Sequence, residues 1–245
     1  MNCLEINHVT KRFGGLIAIE DLNLQIDERE LRCIIGPNGA GKTTLFNLIC
    51  GNLEPDDGQI IFNNKSLRGK SVAERSRLGI GRKFQSPAIF GCLTVTENLE
   101  VAALGKASIR KVSSARDDKL KSQVEAVLAK IEFGDKRDIL ALELSHGEKQ
   151  WLEIGMVLTS NPSLLLLDEP TAGMTPAETH RTSELIQRIC EEIPAIVIEH
   201  DLKFVREIGT KITVLQRGSL LAEGPIDEIA QDESVRQAYL GKKVL

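Results

Sequence analysis

Between the apolar stretch Leu31-Arg32-Cys33-Ile34-Ile35 and a helical stretch running from Thr44 to Cys50 stands Gly36-Pro37-Asn38-Gly39-Ala40-Gly41-Lys42-Thr43. This is the pattern G-x-x-x-x-G-K-[ST], entered from a strand and left by a helix, and it constrains the fold more than any other feature of the chain. Its glycines let backbone N–H groups turn inward toward phosphate oxygens, and the helix N-terminus behind them adds partial positive charge. Lys42 is expected to reach the β- and γ-phosphates and the Thr43 hydroxyl to sit on Mg²⁺. By itself the loop says only that a nucleoside triphosphate is bound.

The rest of the chain follows an α/β rhythm with one interruption. Leu4–Val9 and Leu22–Ile26 alternate apolar and polar residues and read as strands, as does Gln59–Phe62 after the Pro55-Asp56-Asp57-Gly58 turn. From about Thr94 to Thr159 the pattern is helical, with apolar spacing at Val124, Val127, Leu128 and Ile131. The polar stretch Lys106–Lys121 (Arg110, Lys111, Ser113, Ser114, Arg116, Asp117, Asp118) reads as a solvated linker between two of these helices. Strand and helix then alternate again: strands Leu164–Leu167, Ala195–Ile198, Ile212–Leu215 and Leu220–Glu223, helices Pro176–Glu191 and Leu202–Glu207. The layout is one domain over 1–245, an α/β core (about 1–92 and 160–245) interrupted by a helical subdomain (about 93–159).

Composition narrows the class. The chain is 42% hydrophobic and 27% charged, enough for a sizeable core, and its net charge of -4 provides no electrostatic reason for nucleic acid to be a partner. No apolar run approaches the ~18 residues of a membrane span, and Met1-Asn2-Cys3-Leu4-Glu5 lacks the layout of a secretory signal. Five scattered cysteines (Cys3, Cys33, Cys50, Cys92, Cys190) read as small apolar side chains in a reducing compartment.

Two further segments carry chemistry. Asp168 and Glu169 end a run of four leucines, so a buried strand delivers two adjacent carboxylates to a sheet edge. Asp168 is the residue expected toward Mg²⁺, and Glu169 is the best candidate for the base acting on an attacking water. Leu144-Ser145-His146-Gly147-Glu148 opens an apolar periodic run with Ser-x-x-Glu, a capping box with Ser145 at the N-cap and Glu148 at N3. A capped helix start with a glycine beside it is also an anion site, so the two readings hold together.

With these motifs in this order, the chain resembles the nucleotide-binding subunit of an ATP-binding cassette (ABC) transporter over essentially its whole length. The resemblance implies a P-loop NTPase core of the RecA-like type, an antiparallel β subdomain and an inserted helical subdomain. It identifies Gly36–Thr43 as the Walker A loop, with Gly36, Pro37, Asn38, Gly39, Ala40, Gly41, Lys42, Thr43 and Thr44 as nucleotide-binding residues. Leu164–Asp168 is the Walker B strand, Glu169 the catalytic glutamate and Leu144–Glu148 the signature. Gln85 matches the Q-loop residue that touches Mg²⁺ or water, and His200, after Ile196-Val197-Ile198, the switch histidine on the γ-phosphate. Phe13 fits the aromatic that stacks on adenine, and Ser145 and Gly147 would bind the γ-phosphate held by an opposite subunit. His8 and His180 read as ordinary, and Trp151 as a side chain packing a helix face. Three positions depart from the family pattern: His146 and Glu148 replace the first glycine and the glutamine of Leu-Ser-Gly-Gly-Gln, and Thr175 stands where the D-loop has aspartate.

Within the family, Gly79–Gln85, Leu93–Leu99 and Ala238-Tyr239-Leu240-Gly241 resemble importers of branched-chain amino acids and amides. The segments Leu144–Met156 and Ala172-Gly173-Met174-Thr175 are similar to the urea importer's ATP-binding subunit, which makes urea or short-chain amides the expected cargo and branched-chain amino acids the alternative. A lipopolysaccharide-exporting ATPase has a similar core. A nucleic-acid-acting ABC ATPase is expected to show tandem cassettes or a basic surface, and a P-loop kinase has no use for a signature. The implied partners are a second ATP-binding subunit, two permease subunits and a periplasmic or lipoprotein substrate-binding protein. The implied location is the cytoplasmic face of the membrane, with ATP and Mg²⁺ as ligands.

Overall fold

Ten strands, nine α-helices and two short 3-10 helices are present among residues 2–83, 89–104, 114–209 and 211–240, which the structure, a computed structural model, describes. The strands form two sheets. In the first, β1 (Asn2–Phe13) pairs antiparallel with β2 (Leu16–Asp27) and with β4 (Asp57–Phe62), and β5 (Lys65–Ser66) closes the edge. The second has the order β10-β9-β3-β8-β7-β6, where β3 is Leu31–Ile35, β6 Ile80–Lys83, β7 Leu164–Asp168, β8 Ala195–Ile198, β9 Lys211–Gln216 and β10 Ser219–Gly224. Four of its five pairings are parallel, and the β9–β10 hairpin at one edge is antiparallel.

Burial on both faces explains why Leu164–Leu167 of β7 and Ala195–Ile198 of β8 read as unbroken apolar runs. Leu165, Leu167, Ala195 and Val197 pack into one cluster with the helices, whereas Leu164, Leu166, Ile196 and Ile198 face the other way into a cluster shared with the antiparallel sheet. Helix α1 (Lys42–Cys50) belongs to the second cluster through Leu45, Phe46, Leu48 and Ile49. The period-2 alternation of side chains therefore splits one sheet between two cores.

Helix α2 (Val72–Leu78) follows β5, and α3 (Val95–Leu104), α4 (Ser114–Lys130) and α5 (His146–Leu158) form the interrupting helical part. The core of the chain then closes with α6 (Pro176–Cys190), α7 (Leu202–Ile208), α8 (Ile226–Gln231) and α9 (Glu233–Leu240). Val124, Val127, Leu128 and Ile131 are all buried, as their spacing predicts. The linker expectation for Lys106–Lys121 needs correcting: α4 begins at Ser114, so its second half is helix, and residues 105–113 lie outside the described residues. Cys3, Cys33, Cys50 and Cys190 are buried, and burial pushes the thiols of Cys3, Cys33 and Cys190 up to about 12; Cys92, by contrast, is exposed. No described helix is long and apolar enough to cross a membrane.

Trp151 does more than pack a face. Its ring is buried beside Phe133, and its Nε1 donates to Thr182 Oγ1 at 2.8 Å, which ties α5 to α6. Trp151→Phe keeps the apolar ring and loses this bond, so urea unfolding should report a loss of about 1 kcal/mol. An unchanged midpoint would show that the bond adds nothing to stability.

Candidate nucleotide site

Register alone assembles the site. Ile34 of β3 lies level with Ile198 of β8, and Ile198 level with Asp168 of β7, so three neighbouring strands end together. The chain leaving each of them carries one part: the glycine loop after Ile35, Glu169 after Asp168, and Glu199-His200 after Ile198. Ligands of open α/β sheets bind at this carboxyl edge.

The loop after β3 is wrapped over its own lysine. Lys42 Nζ donates to the carbonyl oxygens of Gly36 (2.6 Å) and Pro37 (3.1 Å), which holds the ammonium across the loop. Gly41 is the N-cap of α1 in the left-handed region, where a Cβ would come within 2.6 Å of the Ala18 carbonyl oxygen. Asn38, Gly39 and Thr43 are exposed, Pro37, Lys42 and Thr44 half-buried, and Gly36 and Ala40 buried. Phe13 stands exposed at the end of β1 with Lys11 Nζ 5.7 Å from its ring centroid.

Asp168 is buried at the end of β7, and burial raises its carboxyl above the usual range, opposed by the guanidinium of Arg82. Arg82 Nη2 lies 3.3 Å from Asp168 Oδ2 while Nη1 donates to Asn47 Oδ1 at 2.7 Å, so β6 braces Asp168 against α1. Glu169 has φ of +47°, which turns its side chain out of the strand; its amide donates to the Ile198 carbonyl at 2.9 Å. Its Oε1 is 3.5 Å from Nδ1 of His200, whose ring is exposed. Below them lies a residue the motifs did not single out. Glu199, fully buried, accepts from the amide (3.1 Å) and hydroxyl (2.6 Å) of Thr171 and from the amide of His200 (3.1 Å), fixing both loops that carry the exposed groups. The only sequence signal for it was an acidic residue directly after a buried strand.

Ser145 caps α5 as expected: the Glu148 amide donates to Ser145 Oγ at 3.2 Å and Glu148 Oε2 accepts from the Ser145 amide at 2.8 Å. His146 has a structural purpose. Its Nε2 lies 2.9 Å from the Ala172 carbonyl oxygen, and because a carbonyl only accepts, Nε2 carries the hydrogen. The imidazole thus links the signature to the segment after Pro170. Thr175 likewise fills a local role in place of the D-loop aspartate, as the N-cap of α6 in a capping box with Glu178. Within one chain, the described side-chain hydrogen bonds of Ser145 and His146 go to Glu148, Ala172 and Glu178, none of them in the glycine loop. Gln85, Phe84 and Gly241 lie outside the described residues. His8 pairs with Asp21 and His180 with Glu207 on the surface.

The ABC transporter family model matches residues 19–172 of this chain, from β2 through the loop after β7. The chain belongs to the ABC transporter family. As the ATP-binding domain of that family it is an ATPase coupled to transport, and its fold is the ABC cassette. This ABC ATPase is 35% identical over 253 residues to the high-affinity branched-chain amino acid transport ATP-binding protein LivG of Salmonella typhimurium, covering 98% of each chain. It is 34% identical to the corresponding BraF protein of Pseudomonas aeruginosa, again with 98% of each covered. Among solved structures, it matches the ADP conformation of MJ1267, an ATP-binding cassette of an ABC transporter, with a TM-score of 0.87, 31% identity and coverage of 98% and 99%. It also matches the dimeric post-hydrolysis state of the cassette MJ0796 bound to ADP and phosphate, with a TM-score of 0.76, 25% identity and coverage of 91% and 98%. The names of the LivG and BraF relatives match the branched-chain amino acid alternative rather than the urea preference.

Proposed function

We propose that this ABC ATPase powers an importer of the branched-chain amino acid and amide group, closing as one of two cassettes around ATP beneath two permease subunits fed by a substrate-binding protein. The observation that carries the hydrolytic part is the convergence of the glycine loop, Asp168, Glu169 and His200 at one sheet edge. Gly36–Thr44 cradle the triphosphate, with Lys42 swinging from its loop carbonyls to the phosphates, and Phe13 stacks on the adenine. Ser145, whose hydroxyl donates to Glu178 rather than to the glycine loop, and Gly147 serve the γ-phosphate of the opposite subunit. The dimeric MJ0796 cassette supports this arrangement.

The residues present fit a Mg²⁺ ion. Asp168 is a desolvated carboxylate with the Arg82 guanidinium 3.3 Å away, and Thr43 offers an exposed hydroxyl at the helix start. Thr43 and Asp168, with Gln85, would hold the ion, which would neutralise phosphate charge when bound. Glu169 takes the proton of the attacking water, His200 hydrogen-bonds the γ-phosphate, and buried Glu199 keeps both in place.

For the cargo, two readings each have support. The relatives at 34–35% identity favour branched-chain amino acids. The segment Leu144–Met156 with His146 and Trp151 favours urea or a short amide. Purifying the complete complex and measuring ATP-driven uptake of leucine and urea decides between them: leucine uptake with urea excluded is the expected result, and the reverse would restore the urea reading. Transport of neither would overturn the importer assignment.

A further inference from the structure

Two helix N-termini meet at the signature. Glu178, the N3 residue of α6, uses its two oxygens differently. Oε2 accepts from the amide and the hydroxyl of Thr175, both at 2.9 Å, which caps its own helix. Oε1 accepts from Ser145 Oγ at 3.2 Å, across to the start of α5. The same oxygen lies over Gly147, where a Cβ would come within 2.7 Å of it. The Thr175 amide and hydroxyl hold the Glu178 carboxyl below its usual range, with Ser145 and the Gly147 amide adding to the effect, so the group is an anion at neutral pH. By contrast the carboxylate of Glu148 is held by the Ser145 amide and by Lys136, on the side of the cap.

Ser145 Oγ and the Gly147 amide are the two donors that the shared-site reading assigns to the γ-phosphate of the opposite subunit. A hydroxyl and an amide each have one hydrogen to give. A carboxylate and a phosphate oxygen therefore compete for the same donors, and two anions in one small site repel each other. We infer that Glu178 is an in-chain stand-in for the γ-phosphate, which occupies the signature in the open subunit and must be displaced before the ATP sandwich closes. This rests on the shared-site reading. The contact sets how much ATP is needed for closure, and it leaves each subunit's own glycine loop untouched. The cap and the signature contact rest on different oxygens, so α6 stays capped when Ser145 is released.

Glu178→Gln separates the two roles, because glutamine at N3 retains a capping box while the charge is lost. The variant is made in a Glu169→Gln background, with the full chain alone or together with the companion cassette of its complex. ATP-driven dimerisation is followed by light scattering, binding to the single subunit by titration with a fluorescent ATP analogue, and folding by thermal melting. The expected result is a dimerisation midpoint at least fivefold lower in ATP, with analogue binding and melting unchanged. A midpoint that stays put or rises overturns the inference, as does a drop matched by equal tightening in the single subunit. A Glu169→Gln parent that never dimerises with ATP is a different outcome: it removes the shared-site reading itself, and the inference with it.

Discussion

Glu169→Gln should lower phosphate release by about 100- to 10,000-fold, the range in which a positioned general base contributes. Glutamine keeps the size of the side chain and its hydrogen bonding but has no basic oxygen to receive the proton of water. The backbone that aims residue 169 is independent of the side chain: its amide is held by the Ile198 carbonyl and its positive φ by the end of β7. ATP binding should therefore be unchanged, and ATP-bound dimers should accumulate on size-exclusion chromatography. A fall in kcat with KM retained would mark the loss as one of chemistry rather than of binding. Hydrolysis near the wild-type rate would remove Glu169 from this role and leave His200, 3.5 Å away, as the alternative base.

How far the fold was legible follows from how local each signal is. The central strands β3 and β8 are short, mostly apolar and bounded by turns or charges, so Leu31–Ile35 and Ala195–Ile198 match expectation to the residue, whereas β6, with Arg82 and Lys83 in its four residues, shows no such pattern. The antiparallel strands run further than their alternation, because β1 and β2 continue past bulges near His8 and Val9 that break the period. Helix α2 was missed, although Ser71 and Glu74 form a full capping box at its start. Seven residues are too few to show a periodic face. The same holds for α8 and α9, which are short and polar and are fixed by docking onto β9 and β10.

The site divides along the same line. Its contiguous parts, the glycine loop, Asp168-Glu169 and the Ser145 cap, could be read because the chemistry resides in adjacent residues. Its braces could not. Arg82 reaches Asp168 across 86 positions, Glu199 reaches Thr171 across 28, and Ser145 reaches Glu178 across 33. Which acid meets which donor is decided by strand order and helix docking, and no spacing in the chain encodes it. His146 shows the reverse case. What reads as a departure from a glycine pattern becomes, with the Ala172 carbonyl 2.9 Å away, a cross-link between two loops.

Gly36→Ala is expected to damage both stability and nucleotide binding, and the two effects have one origin. A Cβ at this position would lie 2.2 Å from the Leu215 carbonyl oxygen and 3.2 Å from Ala40 Cβ. The obstacle is strand backbone, held by the parallel pairing of β3 with β9 that sets Ile35 opposite Val214. It cannot rotate away as a long side chain would. Either β9 or the loop must move, at a cost of about 3 kcal/mol, the upper end for overpacking. If the loop yields, its amides leave the positions from which they meet phosphate, and affinity for a fluorescent ATP analogue should fall by about tenfold or more, since each 1.4 kcal/mol of lost contact is a factor of ten. Gly39→Ala is the control. A Cβ there meets nothing within 4 Å, and only its φ of +81° opposes the change, at about 1 kcal/mol. Denaturant unfolding and analogue titration on both variants separate close backbone approach from conformational strain. Equal losses in the two would show that approach to Leu215 is not what requires glycine at position 36.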